Sequence, residues 1–267
     1  MFGVWTNALE DLHSQYVNAE PYEHVVIPEF LSEEFAELVF KELPDPDETW
    51  HVYDTPFEQK YLTSNQAKFP LHVKKLFEKI NSNDFVEIIG KICGIDGMFS
   101  DPTMHAGGIH AYPRNGKIDI HLDYTIHPKT GKERRVSFML YMNKNWKREY
   151  GGHLQLWKPD LSGYKEINSD LWNTAVIFKT SEQTYHGLPD KITCPIGMNR
   201  KVIGVYYLTE PRPETLANPR YNAEMFPKPG AAVDERLAEL YRIRKTRRLV
   251  PDDVKDWPTW KTDCALI

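Results

Sequence analysis

Cysteine is scarce in this chain: three in 267 residues, Cys93, Cys194 and Cys264, far apart and odd in number. That excludes a disulfide framework and finger-type metal spacing, and it fits a reducing compartment. No apolar run approaches the ~20 residues of a bilayer-spanning helix. The opening MFGVWTNALEDLHSQ has no basic stretch leading into an apolar one, so a secretory leader is not expected. Repeats and low-complexity tracts are lacking as well. Neither sign of charge dominates: 33 basic residues stand against 38 acidic ones, for a formal charge of -5. This balance argues against nucleic acid as the main partner. The expectation is a cytoplasmic protein with no membrane association, and nothing in the composition specifies an oligomeric state.

What is present is ordinary for a folded protein, with 41% apolar and 27% charged residues. A chain of this length buries roughly 70% of its unfolded surface. YEHVVIPEF at 22–30 reads as a short strand. Ser32 then stands where it would cap a helix carrying Glu33 and Glu34 in its first turn. A helical stretch over about 70–93 is expected to break at Asn81-Ser82. From about 98 the apolar period changes to two: 118–124, 136–142, 153–157, 174–179 and 200–208 read as strands separated by turn residues. Five prolines between 211 and 230 suggest an irregular arm, followed by a basic helix near 233–247. The expected organisation is an N-terminal strand and helical support over 1–97, a β-rich core over 98–210 and a C-terminal arm over 211–267. Helices ahead of many short strands imply a mainly β fold, a sandwich or jelly roll with helices on one side.

The strand IDIHLDY at 118–124 carries unusual chemistry. Alternation sends Ile118, Ile120, Leu122 and Tyr124 to one face, and Asp119, His121 and Asp123 to the other. A histidine and an aspartate two residues apart suit adjacent positions on a divalent metal. His-x-Asp alone arises readily by chance. Here it is followed by a distant His186, in Tyr185-His186-Gly187 after the strand TAVIFKT, and then by Arg200 at the head of another strand. Arg200, Val202 and Gly204 share a face, so a guanidinium looks across small side chains, where it can grip a carboxylate through two parallel hydrogen bonds. Lys201 is the competing cation, but alternation turns it the other way.

HLD at 121–123, the distal His186 and RKVIGVYYL at 200–208 together resemble the iron- and 2-oxoglutarate-dependent oxygenases, and within them the prolyl-4-hydroxylase-like branch. YPRNG at 112–116, LYMNKNW at 140–146 and GGHLQLW at 151–157 resemble its oxygen-sensing members. The likeness is strong over about 100–210, loose over 22–45, and does not reach the C-terminal arm. It implies a double-stranded β-helix in which His121, Asp123 and His186 bind Fe(II). Arg200 would bind the distal carboxylate of 2-oxoglutarate, Tyr141 would donate a hydrogen bond to it, and Tyr112 would line its pocket. O2 is the implied oxidant and ascorbate a candidate reductant. Gly204 departs from relatives that place a hydroxyl residue there. Asp123 fills the position that halogenating relatives leave to chloride, which points to hydroxylation of an unactivated C–H bond, with succinate and CO2 as coproducts.

The implied substrate is a small metabolite, an amino acid or a peptidyl, proline-like group. His127, Tyr124 and Trp157 are candidates for its side of the site. His105, His110 and Asp101 make a weaker rival metal set, and Cys194 reads as a bystander. Basic residues in IHPKTGKERRV and on the 236–248 helix could meet an anionic group, although a solvated face is the plainer reading of each. Two other functions compete: a non-catalytic jelly-roll metal module, which would have no use for a cosubstrate clamp, and an oxidative demethylase acting on nucleic acid.

Overall fold

The structure, a computed structural model, describes residues 1–167, 171–255 and 257. Cys264 lies outside the described residues. The chain opens with helix α1 (Leu9–Val17), strand β1 (His24–Ile27) and helix α2 (Glu33–Glu42). A hairpin of β2 (His51–Asp54) and β3 (Glu58–Thr63) leads to helices α3 (Leu71–Ile80) and α4 (Asn83–Cys93). Ser82 separates these two helices as expected and caps the second, accepting a hydrogen bond from the Phe85 backbone N–H. Ser32 sits at the start of α2 without making such a bond.

Strands β4 (Phe99–Ser100), β5 (Gly108–Tyr112), β6 (Lys117–Leu122), β7 (Glu133–Met142), β8 (Gln155–Trp157), β9 (Tyr164–Glu166), β10 (Trp172–Lys179), β11 (His186–Leu188) and β12 (Arg200–Thr209) follow. The C-terminal arm adds helix α5 (Pro213–Ala217), strand β13 (Glu224–Phe226) and helix α6 (Glu235–Thr246). All strands join one curled antiparallel sheet in the order β1-β10-β7-β12-β5-β3-β6-β11-β8-β9, with β2 on β3, β4 on β12 and β13 on β6. This is the double-stranded β-helix, mainly β with helices along one side. Two features depart from the sequence reading. The 51–63 hairpin, read as part of a helical support, puts β3 between β5 and β6. The arm is not wholly irregular, since β13 pairs with the expected metal strand, Met225 opposite His121.

The sheet's two faces have separate cores. On β7 and β12, Val136, Phe138, Leu140, Ile203, Val205 and Tyr207 pack with residues of α1, α3 and α4. The alternate residues Tyr141 and Val202 face the opposite way with Tyr112, Leu156 and Leu188. Strands covered on both sides read as almost continuous apolar runs, which is why RKVIGVYYL and VSFMLYM stood out. On α3, Val73, Leu76, Phe77 and Ile80 are buried, whereas Leu71 is 58% exposed.

Candidate metal centre

His121 on β6 and His186 on β11 are directly opposite each other across the strand pair. Gly187 permits this approach, because a Cβ there would lie 2.7 Å from the Asp119 carbonyl oxygen. Asp123 lies just beyond the end of β6. Its Oδ1 is 3.8 Å from His121 Nε2 and its Oδ2 3.4 Å from His186 Nε2. One ligand atom from each residue falls within 4.8 Å of the others, the one such cluster among the described residues. Each imidazole is oriented from behind: His121 Nδ1 lies 2.9 Å from the Asp119 carbonyl and His186 Nδ1 2.9 Å from the Thr184 carbonyl. A carbonyl only accepts, so both Nδ1 atoms carry the proton and both Nε2 atoms present lone pairs inward. Burial and the neighbouring His186 push the His121 pKa down to about 3, which keeps that ring neutral. Two imidazoles and a carboxylate on one side fit a divalent transition metal such as iron.

Arg134 on β7 completes this centre and was not found from the sequence. It is 1% exposed, and its Nη2 lies 2.6 Å from Asp123 Oδ2 and 2.9 Å from Ser137 Oγ. Its guanidinium lies over the Tyr206 ring, 3.3 Å from the centroid. Burial opposes ionisation of Asp123, but Arg134 outweighs it and holds the carboxyl well below the usual range. From the arm, Arg220 Nε donates to the Asp123 carbonyl at 2.8 Å, bracing the same residue.

These groups open into a cavity of about 960 Å³, mouth included. Arg200, Tyr141 and Tyr112 line it. Arg200 is 1% exposed, has no carboxylate partner among the described residues, and leaves its buried Nε without an acceptor. Its guanidinium carbon lies 4.8 Å from the Tyr141 ring centre and 5.3 Å from that of Tyr112. Gly152 leaves room for it, since a Cβ there would lie 2.8 Å from Arg200 Cδ. Burial pushes the Tyr141 phenol up, so its hydroxyl stays a donor. The orphaned guanidinium beside a protonated phenol fits the carboxylate end of 2-oxoglutarate. Lys201 faces away, 2.8 Å from Asp45.

Tyr124 lines the cavity, where alternation had turned it away, because β6 ends at Leu122. The other two substrate-side candidates do not line it. His127 is wholly buried: its Nδ1 accepts from the Lys129 and Thr130 backbone, and its Nε2 lies 3.3 Å from Asp101 and 3.0 Å from Thr103. Those contacts pin the Asp101 and 127–130 loops together. Trp157 is buried against Tyr164, with ring centres 4.5 Å apart. The rival metal set is divided, because Asp101 bonds His127 while His110 lies on the cavity wall with Nε2 unpartnered. A Cβ on Gly204 would come within 3.3 Å of that nitrogen, so His110 occupies the space a larger residue at 204 would need. Burial raises the Cys194 thiol pKa, in keeping with a bystander. Besides Arg134, the sequence reading missed Glu58 and Lys60 of β3, paired at 2.7 Å on the cavity wall.

Residues 107–208, which include His121, Asp123, His186, Arg200, Tyr141 and Tyr112, match the 2OG-Fe(II) oxygenase superfamily. A mouse protein, prolyl 3-hydroxylase OGFOD1, is 28% identical over 182 residues, 66% of this chain and 31% of its own length. The chain therefore spans about a third of that relative. Two solved structures share the fold. A Pseudomonas putida prolyl-4-hydroxylase superposes with a TM-score of 0.52 at 15% identity, over 76% of this chain and 100% of that one. A Trichoplax adhaerens prolyl hydroxylase, solved with a hypoxia-inducible-factor peptide, gives 0.55 at 14% identity, over 77% and 93%. The two imidazoles, the carboxylate and Arg200 all lie inside the segment that matches the 2OG-Fe(II) oxygenase superfamily.

Proposed function

We propose that this protein is an iron- and 2-oxoglutarate-dependent dioxygenase that hydroxylates an unactivated C–H bond of a peptidyl, proline-like substrate. One observation carries the reading: a buried Arg200, with no carboxylate partner among the described residues, opens into the same cavity as the His121–Asp123–His186 cluster. A purely structural metal site gains nothing from a second, uncompensated buried cation, which is costly unless a ligand's anion meets it. The peptidyl reading is supported by the mouse relative, named a prolyl hydroxylase, and by the fold shared with an enzyme solved with a peptide.

Bound iron, with 2-oxoglutarate and O2, would supply the oxidising chemistry. The chain's part is placement. His121, Asp123 and His186 would hold the metal from one side and leave the other open to the cavity. Arg200 and Tyr141 would fix the far carboxylate of the cosubstrate, setting its other end toward the cluster. Arg134 keeps Asp123 ionised and unable to rotate. Buried walls formed by Leu154, Leu188 and Val202 exclude water from the reacting end.

The test needs no substrate. Fe(II) and then 2-oxoglutarate are added anaerobically to the purified protein, and the weak visible charge-transfer absorption of a chelate is recorded. The expected result is a band in the wild type that is lost in Asp123→Ala and needs far more 2-oxoglutarate in Arg200→Ala. A folded, iron-loaded wild type with no band would overturn the assignment.

A further inference from the structure

The cavity contains positive charge that the hydroxylase reading does not use. Lys60 is neutralised by Glu58 at 2.7 Å and Arg134 by Asp123 at 2.6 Å. Arg200 is committed to a carboxylate of the cosubstrate. Arg244 and Arg248 are left over, and both line the cavity. Arg244 makes no ion pair or hydrogen bond among the described residues, and its Nη1 is buried without a partner. Burial lowers its pKa, yet a guanidinium remains charged in proteins. Arg248 is exposed at the mouth, its Nη2 3.4 Å from His105 Nε2. Burial pushes the pKa of His105 down to about 4, so that ring is neutral and offsets no charge.

The helix is fixed so that Arg244 turns inward. Leu240 is 3% exposed. Tyr241 stacks on Phe57, ring centres 4.4 Å apart, and donates to Asp119 Oδ2 at 2.7 Å. Arg244 follows by three and four residues and so shares their face. Other members of the basic cluster are consumed elsewhere: Arg242 by Glu239, Lys245 by Glu224 and Arg247 by Asp253. A solvated helix face would not sort its charges this way. A guanidinium with a buried donor that lacks an acceptor, as Arg244 Nη1 does among the described residues, is relieved best by a carboxylate, which matches its planar donors.

We propose that Arg244 and Arg248, supplied by the C-terminal arm, form a subsite for a carboxylate of the substrate, so that the protein selects an acidic peptide. The proposal rests on the hydroxylase reading and specifies its substrate class.

The experiment uses the full chain loaded anaerobically with Fe(II) and 2-oxoglutarate. Four N-acetylated, proline-centred peptides are titrated against the charge-transfer band and by calorimetry: glutamate-flanked, glutamine-flanked and lysine-flanked peptides with amidated ends, and a glutamine-flanked peptide with a free C-terminal carboxylate. The glutamate peptide is expected to bind about tenfold or more tighter than its amidated glutamine counterpart. That margin should shrink as salt rises from roughly 0.05 to 0.5 M. It should fall to about threefold or less in Arg244→Gln and be partly kept in Arg244→Lys. Preference for the free C-terminus instead would place the recognised carboxylate at a chain end and still support the subsite. Equal binding of the glutamate, glutamine and free-acid peptides, tighter binding of the lysine peptide, or an acidic preference unchanged in Arg244→Gln with Arg248→Gln would overturn it. So would a wild-type band that no peptide perturbs, which leaves the cosubstrate reading standing. Only absence of the band itself speaks against that reading.

Discussion

Arg134 Nη2 lies 2.6 Å from Oδ2 of Asp123, and this buried pair joins β7 to the loop that ends the metal strand. Removing the arginine would strand a carboxylate away from water, a change that typically costs about 3–5 kcal/mol. Arg134→Met is expected to lower the melting temperature of the metal-free protein and to weaken Fe(II) binding. Arg134→Lys, with one donor point and no plane to lie over Tyr206, should fall between. Calorimetry and metal titration of the two variants check this. A wild-type melting temperature in Arg134→Met would show that the pair contributes nothing.

The acid limb of stability follows from the same carboxylate and from histidines that include the three lowered ones on the cavity wall. The Asp123 carboxyl is held below its unfolded value near 4, so its contribution is complete above that pH and is lost as pH falls further. Burial lowers His110 and His121, and half-buried His105, below the unfolded value near 6.5. The unfolded chain therefore takes up more protons below pH ~6.5, and stability should fall from there toward acid. The limit is about 1.4 kcal/mol per pH unit for each fully buried histidine. Urea midpoints of metal-free protein across this range measure the slope, and His110→Gln should flatten it. An unchanged slope in that variant would mean that His110 is protonated in the fold.

Arg200 and Lys201 are adjacent cations with opposite surroundings, one turned to the cavity and one to Asp45. Arg200→Ala should raise the 2-oxoglutarate concentration needed for half-saturation by at least about tenfold, the loss of a charge-assisted pair. Its iron requirement should change much less. Lys201→Ala should leave both alone. Similar effects of the two substitutions on 2-oxoglutarate would remove Arg200 from its proposed role.

Two serines at helix starts separate position from interaction. Ser82 accepts from the Phe85 backbone, whereas Ser32 makes no cap bond. Ser82→Ala should cost about 1 kcal/mol. Ser32→Ala should cost a few tenths at most. Chemical denaturation of both variants decides the matter, and equal losses would count against the cap at Ser82.

Much of the centre was legible because strand chemistry is local. In 118–124, a polar residue at every second position of a buried strand placed His121 beside Asp123, and the same alternation separated Arg200 from Lys201. His186 needed the family likeness, since its three-residue strand has no pattern of its own and its meaning lies in pairing with His121. Arg134 was illegible for a definite reason. It shares parity with Val136, Phe138 and Leu140, which face the helices. A register shift in the β12–β7 pairing, with Tyr207 opposite Val136 and Leu208 opposite Arg134, leaves Arg135 as the extra residue and turns Arg134 to the metal side.

His127 and Trp157 failed as substrate-side candidates because nearness in sequence to Asp123 or to the Gly-Gly turn does not say which loop a side chain closes on. The basic helix carried the opposite lesson. Its charges looked equivalent, and only packing of Leu240 and Tyr241 against the sheet directed Arg244 into the cavity. Local order thus determined the strands, the His-x-Asp pair and the facing of Arg200, because periodicity and residue chemistry act over a few positions. The tertiary structure decided the partner of Asp123, the wall formed by β3 and the role of the arm, because each depends on contacts between segments distant in the chain.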